Sequence, residues 1–221
     1  MKAIILAAGK GKRFGEITKS IPKPLIKFGK LCLIEHNIFL LKKYGYTDIV
    51  INVCHLKDKI INHLGDGKKY GINIQYSIEE PEPLETGGGI KKALKLLGDQ
   101  PFLTINSDIY TDFDLSNLQL KGSDLASLVM VENPDHNRDG DFSLKNGRVR
   151  LDKENVLTYS GIAILHHKIF KNYNSLKFKL IDVFLEKIKS DKISGFQHKG
   201  IWYDIGNIER LKLAEKLFPN N

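Results

Sequence analysis

The chain has 221 residues, is 42% hydrophobic, and carries 34 Lys and Arg against 26 Asp and Glu, a formal net charge of +8. That apolar content supports one large core and argues against a disordered chain, while two cysteines, Cys32 and Cys54, are too few for a disulfide framework or a thiolate metal cluster. The apolar run Ala3–Ala8 passes at once into Gly9-Lys10-Gly11-Lys12-Arg13, too short and too charged for a signal peptide, and no run approaches membrane-spanning length, so the cytoplasm and no membrane partner are expected.

In chain order, Ala3–Ala7, Asp48–Val53, Ile72–Ser77 and Phe102–Asn106 are apolar and β-rich and predict strands. Between them, the apolar spacing of Leu33–Tyr44, Lys57–Leu64 and Gly88–Leu97 predicts helices. Alternating strands and helices imply an α/β fold with a doubly wound, mostly parallel sheet, whose ligands gather beyond the carboxyl ends of the strands. Further on, Leu125–Val131 predicts a strand, and Phe142–Leu144 and Val149–Leu151 a hairpin closed around Asn146-Gly147. Leu157–Leu165 is another β-rich run, Lys179–Lys189 an amphipathic helix, Ile193–Gln197 and Ile201–Ile205 short strands, and Ile208–Leu217 a closing helix. No repeat or linker is evident. The expectation is a single unit, with a nucleotide-binding core of about residues 1–130 and a β-rich acceptor-binding part of about 131–221.

Four segments carry chemistry. In Leu6-Ala7-Ala8-Gly9-Lys10-Gly11-Lys12-Arg13, small residues after a strand let a phosphate approach bare N–H groups, with Lys12 and Arg13 adding charge. It has neither the Rossmann glycine spacing nor a Walker loop, and a plain turn is the alternative. In Ile21-Pro22-Lys23-Pro24-Leu25, two prolines stiffen the segment that carries a lysine, so the cation can meet charge on a phosphorus centre without reorganising. In Pro83-Leu84-Glu85-Thr86-Gly87-Gly88-Gly89-Ile90, three glycines between a strand and a helix expose backbone to a base or ribose, and Glu85 and Thr86 offer hydrogen bonds. The strand ending Thr104-Ile105-Asn106-Ser107-Asp108 presents a hard carboxylate suited to Mg²⁺, and Asp204 in Trp202-Tyr203-Asp204-Ile205-Gly206 is a second candidate, each Asp reading alternatively as a turn former or cap.

Taken in this order, these segments resemble the sugar-1-phosphate nucleotidyltransferase family, and the likeness covers nearly the whole chain. The resemblance implies a Rossmann-like core with a mostly parallel mixed sheet flanked by helices, Mg²⁺ dependence, and attack of a sugar phosphate on the α-phosphorus of a nucleoside triphosphate. Carried over, it places Ala7, Ala8, Gly9, Gly11, Lys12, Arg13, Lys23, Glu85, Thr86, Gly88 and Asn106 against the nucleotide. Arg13, Lys23 and Asp108 become the catalytic set, Asp108 and Asp204 the metal ligands, and Asn106, Tyr159, Ser160 and Gly161 the sugar side. His63-Leu64-Gly65-Asp66-Gly67, Glu85-Thr86-Gly87-Gly88-Gly89, Ser160-Gly161-Ile162 and Phe178-Lys179-Leu180 resemble the branch that uridylylates N-acetylmuramate 1-phosphate in bacterial cell-wall recycling. The chain departs from the family in Ser107 before Asp108, in Gly15-Glu16, and in Asn207 after Gly206.

Three other readings stay open. One is the same reaction with a heptose or hexose 1-phosphate and GTP or dTTP. Another is a nucleotide-sugar sensor without catalysis, disfavoured because Arg13, Lys23, Asp108 and Asp204 are all present. A basic nucleic-acid binder is weaker, since the excess lysines are scattered over helices and no aromatic-interleaved basic stripe occurs. Small-molecule substrates, no nucleic acid, and a monomer or small homo-oligomer are expected, with the seven histidines as surface or packing residues.

Overall fold

Successive side chains of the continuously buried strands enter opposite faces of the sheet, which decides how the layers assemble. In the computed structural model, which describes residues 1–219, the elements are β1 (Ala3–Leu6), α1 (Ile17–Ser20), β2 (Lys27–Phe28), β3 (Leu31–Cys32), α2 (Leu33–Lys43), β4 (Asp48–Val53), α3 (Lys57–Leu64), β5 (Asn73–Ile78), α4 (Glu85–Leu97), β6 (Phe102–Asn106), β7 (Ile109–Thr111), β8 (Ala126–Val131), β9 (Phe142–Lys145), β10 (Arg148–Arg150), β11 (Val156–Leu165), α5 (Leu180–Lys189), β12 (Ile193–Gln197), β13 (Trp202–Asp204) and α6 (Ile208–Leu217). Ala3 and Ile5 of β1 join a core with Ile34, Ile38 and Leu41 of α2 and Ile60 and Leu64 of α3. Ile4 points the other way, into a second core with Ile90 and Ala93 of α4 and Val183 and Phe184 of α5. The sheet is thus covered on both faces, as the apolar strands require.

Nine strands form one sheet in the order β5-β4-β1-β6-β11-β8-β12-β10-β9. β5, β4, β1 and β6 are parallel, whereas β11 runs antiparallel to both β6 and β8. The expected division near residue 130 therefore coincides with no break in the sheet. A strand from the second half, β11, lies directly against a strand from the first.

Two segments differ from expectation. Ile201–Ile205 was expected to be a strand; β13 is shorter and stands outside the main sheet, pairing antiparallel with β7, with Asp204 opposite Ile109. At three residues, β7 is too short for alternation to reveal it. The glycines after Glu85 do not form an exposed loop between strand and helix. They lie buried in the first turns of α4, because the helix backbone packs closer to its neighbours than a side chain would permit. A Cβ on Gly87 would lie 2.5 Å from the Phe178 ring, one on Gly88 2.1 Å from the Leu176 carbonyl oxygen, and one on Gly89 2.4 Å from Glu79 Oε1.

Candidate active site

The parallel strands β1, β4 and β6 end at a cavity of about 620 Å³, the position that the topology favours for a ligand. Its wall includes Leu6 to Arg13, Lys23, Asn52, Glu79, Glu82, Glu85, Thr86, Asn106 to Asp108, Lys177 and Gly206. Lys10, Lys12, Arg13 and Lys23 thus meet at one mouth, a field suited to a triphosphate.

The loop after β1 is held from within. Gly11 has φ +62°, and its carbonyl oxygen, like that of Gly15, accepts a hydrogen bond from the buried Thr18 hydroxyl at 3.1 Å. A Cβ on Gly11 would also crowd Thr18 and Lys23, whereas a Cβ on Gly9 would meet nothing within 4 Å. At the loop's start, the Ala7 N–H donates to Asn52 Oδ1 at 2.9 Å, and Asn52 Nδ2 donates to Glu79 Oε1 at 2.6 Å. Glu79 is buried, and its Oε2 accepts from the Leu84 N–H at 2.7 Å. Asn52 and Glu79 thereby tie the loop after β1 to the segment that enters α4. Sequence reading passed over both; the available signal was a lone amide inside the apolar run Asp48–Val53, which needs a buried partner.

Lys23 occupies a one-turn helix between Pro22 and Pro24, and its ammonium pairs with Asp108 inside the cavity. Asp108 is fixed by its neighbours, since the Ile205 N–H donates to its carbonyl at 2.8 Å and Asn37 Nδ2 donates to the Ser107 carbonyl at 3.2 Å. The same β7–β13 pairing brings Asp204 alongside. Burial pushes the Asp204 carboxyl up from its ordinary value, and the Asp108 charge adds to that, against the opposing pull of Arg210 and His136. Arg210 Nη1 lies 2.7 and 2.6 Å from the two Asp204 oxygens, and His136 Nε2 lies 3.2 Å from Oδ1. His136 is exposed, as expected of a surface histidine, and reaches Asp204 from the solvent side.

Of the nucleotide-side candidates, Ala7, Ala8, Gly9, Gly11, Lys12, Arg13, Lys23, Glu85, Thr86 and Asn106 line the cavity together with Asp108. Gly88 does not, because its N–H is already given to the Phe178 carbonyl at 3.1 Å behind the wall. Glu85 enters α4 at φ +61°, a left-handed conformation uncommon for a residue with a side chain. Thr86 Oγ1 accepts from the Leu180 N–H at 3.1 Å, joining α4 to the start of α5. Tyr159, Ser160 and Gly161 sit at an irregularity in β11, outside the cavity wall. The Tyr159 ring packs on Phe184, the Ser160 carbonyl accepts from the Trp202 indole at 2.9 Å, and Gly161, at φ +81°, lies against the Asn106 side chain.

Residues 2–150 match the family model described as nucleotidyl transferase. The chain belongs to that family. This nucleotidyltransferase is 43% identical to the N-acetylmuramate alpha-1-phosphate uridylyltransferase of Neisseria meningitidis serogroup B, over 98% of each chain. It is 32% identical to the D-glycero-alpha-D-manno-heptose 1-phosphate guanylyltransferase of Campylobacter jejuni, over 93% of this chain and 95% of that protein. Among solved structures it is similar to HddC from Yersinia pseudotuberculosis complexed with GMP-PN, with TM-score 0.80 and 28% identity over 98% and 99% of the two chains. No helix of this nucleotidyltransferase, among the described residues, is long and apolar enough to cross a membrane.

Proposed function

We propose that this nucleotidyltransferase moves a uridylyl group from UTP to N-acetylmuramate 1-phosphate, releasing pyrophosphate, in cytoplasmic recycling of cell-wall sugars. The observation that carries this reading is the 43% identity to the Neisseria uridylyltransferase along 98% of both chains, because such a match spans both the nucleotide and acceptor sides. In the reaction, an oxygen of the acceptor phosphate forms a bond to the α-phosphorus of UTP. The bond from that phosphorus to the bridging oxygen breaks, and pyrophosphate takes the electron pair. The acceptor is already an anion, so positioning and charge neutralisation suffice and no protein nucleophile is needed.

This chain's residues divide that work. Gly9 and Gly11 bring bare backbone to the phosphates, and Arg13 offers charge to the departing pyrophosphate. Lys23, held at the cavity by its flanking prolines, faces the phosphoryl group in transfer. Asp108 and Asp204 are adjacent hard donors, balanced here by Lys23 and Arg210, a set that fits Mg²⁺. When bound, the ion supplies neutralising charge to phosphate oxygens. Glu85 and Thr86 belong to the base and ribose side. Asn106, with Gly161 against its side chain, belongs to the sugar side, and Tyr159 and Ser160 follow on the same strand.

The test is pyrophosphate release with UTP, GTP, dTTP, ATP and CTP, each against N-acetylmuramate, N-acetylglucosamine, glucose, mannose and heptose 1-phosphates. The highest kcat/KM is expected for UTP with N-acetylmuramate 1-phosphate. A preference for GTP with heptose 1-phosphate would overturn the substrate pair and leave the reaction class standing.

A further inference from the structure

On the α2–α3 side of the sheet, away from the catalytic cavity, three side chains of different chemistry converge. Cys32 stands at the N-cap of α2, Glu35 lies in its first turn, and His63 is in the last turn of α3. His63 Nε2 is 3.1 Å from Glu35 Oε1 and 3.9 Å from Cys32 Sγ, and all three donor atoms lie within 4.8 Å of one another. None of them lines the catalytic cavity. Tetrahedral coordination by one sulfur, one nitrogen and one oxygen at about 2.0–2.3 Å from an ion requires donor separations of roughly 3.3–3.6 Å. The His63–Glu35 and His63–Cys32 separations fall on either side of that range, and the third lies within 4.8 Å.

We propose that Cys32, Glu35 and His63 bind a transition-metal dication of the Zn²⁺ class, clamping the start of α2 to the end of α3. Thiolate, imidazole and carboxylate together suit a borderline ion and not Mg²⁺, which prefers oxygen alone. The supporting shell is also present. Tyr70 Oη donates to Glu35 Oε1 at 2.7 Å, and the Cys32 N–H donates to Oε2 at 2.7 Å, so the carboxylate is held by bonds that ion binding leaves in place. The His63 side chain is one-third exposed, which gives an ion an entry path and a water its fourth position. A helix cap and a His–Glu pair account for Glu35 and His63. The capping box also engages the Cys32 side chain, which puts a thiol where Ser, Thr, Asp or Asn is the usual cap.

The charge balance closes. Without an ion, burial foremost and the Glu35 charge next push the Cys32 thiol up to about 11, against the opposing pull of Lys27 and Lys69, so it carries its proton. On binding, the thiol proton leaves to the buffer and His63 coordinates through Nε2. The thiolate and the Glu35 carboxylate then offset the two charges of the ion.

The experiment uses the full chain freed of metal with a chelator and titrated with Co²⁺, then Zn²⁺. One thiolate-bound Co²⁺ per chain is expected, with a thiolate-to-cobalt charge-transfer band and the intense visible bands of a tetrahedral site. Zn²⁺ should bleach both, and excess Mg²⁺ should not. Cys32→Ser keeps a good helix cap, so the fold should survive while the charge-transfer band is lost. Tyr70→Phe should weaken binding by about 10- to 100-fold. Cys54→Ser and the pair Asp108→Asn with Asp204→Asn should leave the band intact, which separates this cluster from the other thiol and from the catalytic carboxylates. A folded wild type without the band at saturating Co²⁺, or a band that survives Cys32→Ser, would overturn the proposal.

Discussion

Gly9 and Gly11 are two positions apart and answer to different constraints. Gly11 is required by the protein itself, through its φ of +62° and the packing of Thr18 and Lys23. Gly9 faces open space, so only a ligand approaching the backbone gives a reason for its missing side chain. Gly11→Ala is therefore expected to destabilise the fold by about 1–2 kcal/mol, the cost of a left-handed alanine, and more if the contacts do not relax. Gly9→Ala should melt as wild type yet bind UTP about 10-fold more weakly by calorimetry. Equal melting loss in both variants would remove the argument for phosphate contact at Gly9. Asp108 supplies a second contrast at this scale. Asp108→Asn should keep the far-ultraviolet dichroism and lose about 10²–10³ in kcat, the usual scale for one preorganised charge-stabilising group. It should also lose any rise in melting temperature that Mg²⁺ gives wild type, a readout that does not depend on turnover.

At the scale of elements, α4 is the part whose glycines mean something other than their sequence context suggests. Three in succession read as an exposed ligand-binding loop, since glycine weakens a helix by about 1 kcal/mol relative to alanine. The helix forms nonetheless, because Ile90, Ala93 and Leu97 bury against the sheet and α5 while the glycines admit the 176–178 segment and Glu79. Tertiary packing outweighs local propensity here. Gly88→Ala, which looks stabilising in an isolated helix, should therefore destabilise this protein by about 1–3 kcal/mol, the range for overpacking. Urea unfolding checks the sign, and a gain in stability would mean that the 176–178 segment yields freely.

For the molecule as a whole, β11 is decisive. Ile162 to Leu165 of β11 pair with Phe102 to Ile105 of β6, and β11 also pairs with β8 on its other edge. The two halves of the chain consequently share one hydrogen-bonded sheet and the hydrophobic clusters on its two sides. Calorimetry should record a single unfolding transition in which probes in both halves coincide. Leu128→Ala, at a fully buried position of β8, should lower that common transition by about 2–5 kcal/mol without splitting it. Two separated transitions would show that the halves fold independently.

Strand and helix identity was legible for the long elements, because short continuous apolar runs and period-3.6 spacing are local properties of a chain packed on both faces of a sheet. The convergence of the loop after β1, Lys23 between its prolines, and Asp108 just past β6 on one cavity was legible for a related reason: backbone freedom, rigidity and hard-ligand chemistry belong to residue types. The sequence also contained Asp204, but not its company. Asp108 comes beside it only because β13 pairs with the three-residue β7, and so short a strand leaves no periodic trace. Asn52 and Glu79, 27 positions apart, become partners only through the parallel register of β4 and β5, and Cys32 meets His63 only where α2 and α3 lie on one face. Residue chemistry and short-range periodicity are written along the chain. Which distant groups neutralise one another is decided by strand order and register, which no local pattern contains.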